Sequence, residues 1–175
     1  MSIEFLPCYH GKDLFMKLAK DYIEELRKFD SSIKWDERTV EDWVWDSNFI
    51  VESGKIRGFM FTEFPTICDG KDFLYIAEFY IVPESRMRGL GFSAVEAYTR
   101  SWDGNVFLYV LDRNEPAKGF WKTVEQRLGW KRVEEPEIRQ ENGCELRVFQ
   151  RLTPHKTTYP TERQCSSRYQ RANFE

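Results

Sequence analysis

The sequence predicts a mixed α/β domain over residues 1–152, and two observations lead to that prediction. First, segments with the three-and-four spacing of amphipathic helices alternate with runs of β-branched and aromatic residues. Second, a chain of 175 residues, 41% of them hydrophobic and 16% aromatic, is long and apolar enough for one sizeable core. Residues 153–175 are polar, rich in Thr, Ser, Gln and Arg, and lack periodicity, so we expect a flexible tail there.

The first half of the chain is expected to contain two helices followed by a hairpin. Apolar residues recur at helical spacing over residues 11–29, which is typical of an amphipathic helix. Residues 35–45 predict a shorter helix that Asp36 can cap. Strands at residues 49–51 and 56–64 flank the turn sequence Glu-Ser-Gly-Lys, which favours a hairpin.

The second half of the chain alternates strands with helices. Pro83 ends an aromatic and β-branched run that is typical of a buried strand, because proline donates no hydrogen bond to a sheet. The elements expected after the hairpin are a loop at residues 66–71, a strand at 74–82, a helix from 92 to about 102, a strand at 105–111, a helix at 116–128, and strands at 130–133 and 145–152.

Composition and charge exclude several classes of function. A net charge of -3 and a pI of about 5.6 leave no broad basic surface for nucleic acid. No apolar run approaches the roughly 20 residues that a membrane helix needs. An acidic residue, Glu4, lies where a signal peptide would be basic. We therefore expect a cytoplasmic protein without nucleic-acid or membrane partners.

The cysteines and histidines provide little material for a metal site. The four cysteines are scattered without any Cys-x-x-Cys pair, and the two histidines are His10 and His155. We therefore expect free thiols, no zinc site and no Ser-His-Asp triad.

A glycine-containing loop between a strand and a helix is the clearest functional signal. Residues 86–91, Arg-Met-Arg-Gly-Leu-Gly, follow Pro83 closely and lead into an apolar helical segment. Glycines let successive backbone N–H groups face one point, and the positive end of the helix dipole faces the same point. The order favours a phosphate site, although two glycines before a helix also occur as simple turn chemistry.

Two motifs resemble those of the GNAT superfamily of N-acyltransferases. Arg-x-x-Gly-x-Gly at residues 86–91, behind Glu-x-x-Ile-x-Pro at residues 78–83, is similar to the acyl-CoA loop of that family. Asn-x-x-Ala-x-x-Phe-Trp at residues 114–121, followed by Leu-Gly-Trp at 128–130, is similar to its second motif. The resemblance covers roughly residues 3–152. It implies a mostly antiparallel sheet of about six or seven strands, flanked by helices, whose central strands are splayed.

The resemblance implies acetyl-CoA as the acyl donor, and the few histidines and scattered cysteines favour no metal. The pantetheine arm would lie between the strands at 74–82 and 105–111 and add to the first as an extra strand. The implied binding groups are the main chain of Phe79, Tyr80 and Ile81 for the arm, the amides of Met87, Arg88, Gly89, Leu90, Gly91 and Phe92 for the pyrophosphate, the side chains of Arg86 and Arg88, and Asn114. The arginines could instead be solvated, and Asn114 could instead cap the next helix.

Glu78 is the candidate general base, because an acid within an apolar strand is costly to bury without a purpose. It could instead lie on the solvated face or pair with a basic residue. Trp121 occupies the position where many members of the family place a tyrosine as general acid, and an indole N–H does not supply a proton. Tyr109 and Tyr80 are both candidates to replace that acid.

The implied activity is transfer of an acetyl group to a primary amine of a small molecule or a protein. Trp35, Trp43 and Trp45 belong to the region where this fold builds its acceptor wall, and they could hold a ring or a cation, or pack in the core. The negative net charge favours a cationic acceptor. The alternatives are a catalytically weak CoA-binding or protein-interaction module and an enzyme that uses a longer acyl-CoA. The oligomeric state is open, and a homodimer is one option.

Overall fold

The structure is a computed structural model, and it describes residues 2–65 and 72–150. The described chain folds into seven strands and four helices, and 3-10 turns at Cys8–Gly11 and Pro83–Ser85 precede the first and third helices. In chain order the elements are β1 Ile3–Pro7, α1 Lys12–Leu26, α2 Glu37–Trp43, β2 Ser47–Glu52, β3 Lys55–Glu63, β4 Phe73–Ile81, α3 Leu90–Thr99, β5 Asn105–Leu111, α4 Glu115–Leu128, β6 Lys131–Arg132 and β7 Cys144–Gln150.

The strands form one open sheet in the order β1-β2-β3-β4-β5-β7-β6. Neighbouring strands are antiparallel, except that β4 and β5 run parallel. The β4–β5 ladder joins three residue pairs, from Phe73↔Asn105 to Tyr75↔Phe107. Within the described residues the two strands therefore part after Tyr75. This gap confirms the predicted splay of the central strands.

Helices cover both faces of the sheet. On one face, α3 and α4 bury Leu90 and Trp121 against Ile76 and Leu108. On the other face, α1 and α2 pack against β2, β3 and Tyr80 of β4. Strand β4 thus contributes side chains to both layers, and the gap beside it is reached from both.

Most predicted elements are confirmed within a few residues. The predicted cap of α2 is present, because the Asp36 side chain accepts a hydrogen bond from the backbone N–H of Arg38 at 3.3 Å. The predicted hairpin turn contains Ser53 and Gly54 with φ of 50° and 70°, the left-handed conformation that tight hairpins require. Strand β6 is shorter than predicted and contains only Lys131–Arg132.

The prediction that helices come first is wrong, because β1 precedes them. This strand is five residues long and ends at Pro7, and among the described strands it pairs only with β2. A short edge strand that contains a proline has weak local propensity, and its pairing with β2 fixes it in the sheet.

Some predictions fall outside the described residues: the loop at 66–71, residues 151–152 of the last strand, and the tail at 153–175. None of the described helices is long and apolar enough to cross a membrane.

Candidate functional site

The gap between β4 and β5 opens into a cleft of about 1370 Å³. Its walls come from both faces of the sheet, with Glu78 and Phe79 from β4, Tyr109 from β5 and Trp121 from α4. Beyond the three-pair ladder, and within the part of the chain that the structure describes, no strand pairs with the edge of β4 that faces β5. Alternate backbone groups along this edge of β4 therefore lie where a strand would otherwise pair, and residues 76–79 line the cleft there.

A β-bulge turns Glu78 toward α1. The β3–β4 register shifts so that Ala77 has no partner in β3. Ile76 packs on the side of α3 and α4, and strict alternation along the strand would send Glu78 to that same side. The extra residue sends Glu78 to the opposite side, where its Oε2 accepts a hydrogen bond of 2.6 Å from the hydroxyl of Tyr22.

Tyr22 holds this hydrogen bond from a fixed position on α1. Its ring lies 5.7 Å from the ring of Phe59, edge to face, and 5.6 Å from the ring of Tyr80. Burial, and next the negative charge of Glu78, raise the pKa of Tyr22 well above its ordinary value. The phenol therefore keeps its proton and donates it in the hydrogen bond. Half-buried Glu78 is thus hydrogen-bonded within the cleft, and not simply on a solvated face.

The segment between β4 and α3 forms the predicted strand-to-helix corner. Met87 and Gly89 have left-handed backbone conformations, with φ of 61° and 83°, and Gly89 directly precedes α3. The first helical hydrogen bond runs from Ser93 N to Gly89 O at 3.0 Å. The backbone N–H groups of residues 90–92 come before that bond, so they lack a helical acceptor and lie at the positive end of the dipole. This geometry suits an anion.

Both arginines of the corner are bound to acids on other elements. Arg86 makes a bidentate pair with Glu25 of α1, at 2.6 and 2.7 Å, and donates to the carbonyl of Ile81 at 2.7 Å. Arg88 contacts Glu52 of β2 at 2.6 Å. Neither arginine is merely solvated. Their described contacts brace the corner against α1 and β2.

Asn114 caps α4, which is the alternative that the sequence left open. Its Oδ1 accepts a hydrogen bond from the backbone N–H of Ala117 at 3.1 Å. Asn114 also lines the cleft. Capping uses the oxygen, and the described contacts assign no role to the amide nitrogen.

An aromatic cluster forms the α4 wall of the cleft. The ring of Phe79 stacks on that of Phe120 at 5.5 Å and 12°, and lies 5.7 Å from Trp121. Trp121 is 6% exposed, so it packs as a core residue where the family motif has its tyrosine. Phe79 therefore faces α4 and Tyr80 faces α1, as neighbours on a strand must.

The two candidate acids, Tyr109 and Tyr80, have different surroundings. The hydroxyl of Tyr109 donates to the backbone carbonyl of Arg139, and its ring lies 5.9 Å from that of Tyr75. Tyr80 is 5% exposed and packs between Tyr22 and Phe59. Tyr109 lines the cleft, and Tyr80 is not among its lining residues.

The three tryptophans of the expected acceptor wall have different surroundings. Trp35 packs against the α1–α2 core. Trp43 stacks on Phe61 at 5.8 Å, and Trp45, 69% exposed, stacks on Tyr9 at 6.0 Å. Trp43 and Trp45 line the cleft, and Trp35 is not among its lining residues.

Sequence reasoning missed the partners of Glu78, Arg86 and Arg88. These partners are Tyr22, Glu25 and Glu52. A signal for Tyr22 exists in hindsight, because a tyrosine among the apolar positions of α1 carries a hydroxyl into a buried layer where it needs a partner. The identity of that partner depends on the fold. Among the described residues, no group of three His, Cys, Asp or Glu side chains could hold a metal ion.

The sequence matches the Acetyltransferase (GNAT) family over residues 13–125, more than half of the chain. The chain belongs to the GNAT acetyltransferase family. Its strand-to-helix corner and its split sheet are therefore those of a GNAT fold. No curated protein matches the sequence.

Solved GNAT structures have the same fold at low identity. A GNAT-family acetyltransferase from Streptococcus agalactiae 2603 has a TM-score of 0.65 at 14% identity, over 87% of this chain and 96% of that one. The NatC complex bound to Gag peptide and CoA gives 0.56 at 16% identity, over 87% and 100%. An aminoglycoside acetyltransferase from an uncultured soil metagenomic sample, in complex with trehalose, gives 0.54 at 16% identity, over 80% and 93%.

Proposed function

We propose that this GNAT protein is a cytoplasmic N-acetyltransferase that moves an acetyl group from acetyl-CoA to a primary amine of a small molecule or a protein. The observation that carries the proposal is the split between β4 and β5, which runs from the corner before α3 to a carboxylate on the cleft wall. Acetyl-CoA supplies an activated thioester, so the protein must bind and orient it. The protein must also accept a proton from the acceptor amine and assist protonation of the departing thiol.

The residues of the cleft fit this donor. The edge of β4 at Phe79 and Ile81 offers main-chain hydrogen bonds to the amides of the pantetheine arm, whereas the predicted main-chain role of Tyr80 does not fit, because its carbonyl lies beside Gly58 of β3. The N–H groups of residues 87–92, at the positive end of α3, offer donors to the pyrophosphate. Arg86 and Arg88 are braced by acids, so their role here is to hold the corner in shape and to add positive charge nearby.

Glu78 serves as the general base. A lysine-like amine with a pKa of about 10.4 is protonated at pH 7, and removing that proton costs on the order of 4 to 5 kcal/mol. A carboxylate that accepts the proton directly or through one water lowers this barrier. The bulge at Ala77 places the Glu78 carboxylate on the α1 side of the gap, where it meets an acceptor that enters past Trp43 and Trp45.

The departing thiol needs less help than the amine. A cysteine-like thiol has a pKa of about 8.5, so leaving as the thiolate at pH 7 forgoes only about 2 kcal/mol of protonation driving force. Trp121 cannot supply that proton. Tyr109 is the candidate acid because its phenol lies on the cleft wall.

The acceptor remains a primary amine of broad type, with a cationic one favoured by the net charge of -3. The related folds include a complex bound to Gag peptide and CoA and an aminoglycoside acetyltransferase, which supports keeping both protein and small-molecule acceptors in the proposal. Aromatic faces at Trp43 and Trp45 suit a cation or an apolar group beside the reacting amine.

Binding of acetyl-CoA tests the proposal directly. We expect acetyl-CoA to raise the melting temperature of the wild-type protein, and Gly89→Glu to abolish this rise by putting bulk and negative charge beside the phosphate site. Gly54→Glu is the matched control, because Gly54 has a similar φ of 70° and open space around its Cβ position. The control should retain the full rise. No rise with any acyl-CoA would count against the proposal.

A second candidate function is a GNAT-fold module that binds CoA or a protein partner without efficient turnover. The packed Trp121 favours it, because the usual acid is replaced by a core side chain. Such a module would show the melting-temperature rise but no release of CoA thiol with any amine.

A further inference from the structure

We propose that Tyr22 is a positioning residue that orients the Glu78 carboxylate for proton transfer from the acceptor amine. The role rests on the proposed function, since it gives Tyr22 a task only if Glu78 acts as the base. Nothing in the sequence motifs points to α1 as part of the catalytic machinery. The structure does, through a contact between residues 56 positions apart.

The hydrogen bond between Tyr22 and Glu78 is short, and neighbouring rings fix its donor. The Tyr22 hydroxyl donates to Glu78 Oε2 at 2.6 Å in a partly buried setting. The ring of Tyr22 is fixed edge to face on Phe59 and against Tyr80, so the hydroxyl has little freedom. A charge-assisted hydrogen bond from a fixed donor sets the direction of the carboxylate plane.

The bulge at Ala77 makes this contact possible. Without the extra residue, Glu78 would lie on the face of Ile76, under α3 and α4, and could not reach α1. The local backbone and the partner on α1 thus act together on one side chain. This pairing of a backbone irregularity with a specific partner argues for a functional site, since bulges often redirect a side chain there.

The hydrogen bond also stabilises the ionised form of Glu78. Tyr22 keeps its proton, because burial and the charge of Glu78 raise its pKa, so it acts as a donor across the working pH range. The ionisable groups nearest the pair are Glu25 on α1, which is bound to Arg86, Tyr75 on β4 and Cys144 at the start of β7. Tyr109 on β5 and Glu141, which precedes β7, line the same cleft.

Tyr22→Phe isolates the hydroxyl, because it keeps the ring. Removing a donor to a carboxylate favours the protonated acid, so the acidic limb of the kcat profile should move to higher pH, by about one unit. We expect kcat at pH 7 to fall at least about tenfold while KM for acetyl-CoA stays within about twofold. Tyr98→Phe is the control, since it removes another cleft hydroxyl, bonded to Thr62 at 2.6 Å, and should leave the limb in place.

A double-mutant cycle separates positioning from a general structural effect. In a Glu78→Gln background, Tyr22→Phe should cause little further loss, because the group that it orients is gone. Incorporation of 3-fluorotyrosine at position 22 covers the case in which Tyr22→Phe does not fold. Its more acidic phenol is a stronger donor, so the limb should move to lower pH.

An unmoved acidic limb in Tyr22→Phe, or in the 3-fluorotyrosine protein, would overturn the role of Tyr22. Equal losses from Tyr22→Phe with and without Glu78 would overturn it as well. These outcomes require an active wild-type enzyme and are distinct from failure of the proposed function. That failure would show as wild-type protein that releases no CoA thiol with any amine.

Discussion

At the scale of single residues, the candidate site depends on side chains held by partners far away in the sequence. Tyr22 holds Glu78 from 56 residues away, and Glu25 holds Arg86 from 61 residues away. Both partners lie on α1, three residues apart, so they occupy the same face of that helix. Helix α1 thus supports both Glu78, the proposed general base, and the corner proposed to bind phosphate.

Replacement of Glu78 tests the chemistry at this scale. We expect Glu78→Gln to lower kcat for CoA thiol release by about 100-fold or more, because an amide cannot accept the amine proton. The acetyl-CoA-induced rise in melting temperature should persist, since the glutamine keeps the size of the side chain. Glu24→Gln, at an exposed position on α1, is the matched control and should release thiol at nearly the wild-type rate. Equal rates in Glu78→Gln and wild type would remove Glu78 from the mechanism.

At the scale of elements, β4 organises the cleft. Its first three residues pair with β5, its middle carries the bulge, and its last residues lead into the corner before α3. Its other edge is held by β3, and there the two backbones come very close. A Cβ added at Gly58 of β3 would lie 1.9 Å from the carbonyl oxygen of Tyr80.

Gly58→Ala should therefore destabilise the fold. Because the clash is with backbone, β3 and β4 must move apart, and we expect a loss of roughly 3 kcal/mol in the free energy of unfolding. Urea denaturation measures it. Gly119→Ala is the control within α4, where a Cβ would meet nothing within 4 Å, and it should stabilise by up to about 1 kcal/mol. A Gly58→Ala midpoint at or above that of wild type would show that the strands do not approach so closely.

At the scale of the whole molecule, the features set by local chemistry were predictable from the sequence. The spacing of α1, the cap at Asp36 and the glycine corner before α3 depend on neighbouring residues alone. The features set by distant pairing were not. Strand β1 exists because β2 lies beside it, and the bulge at Ala77 appears only in the register with β3.

The candidate site likewise contains residues that local motifs predict and contacts that depend on distant packing. Glu78 and the N–H groups of the corner could be proposed from motif spacing, because both lie within one strand–loop–helix unit. The contact of Tyr22 with Glu78 and the ion pairs of Arg86 and Arg88 required the packing of α1 and β2 against that unit. Trp121 was identified as a departure from the motif, but its place in the core emerged only with the fold.

A crystal structure of the protein with acetyl-CoA would test the central claim most directly. The diphosphate should accept hydrogen bonds from backbone N–H groups of residues 87–92, and the pantetheine arm should lie along β4 in the gap beside β5. The thioester should then lie close enough to Glu78 for an amine to fit between the two groups. A donor bound elsewhere on the molecule, with the gap between β4 and β5 closed, would contradict the account.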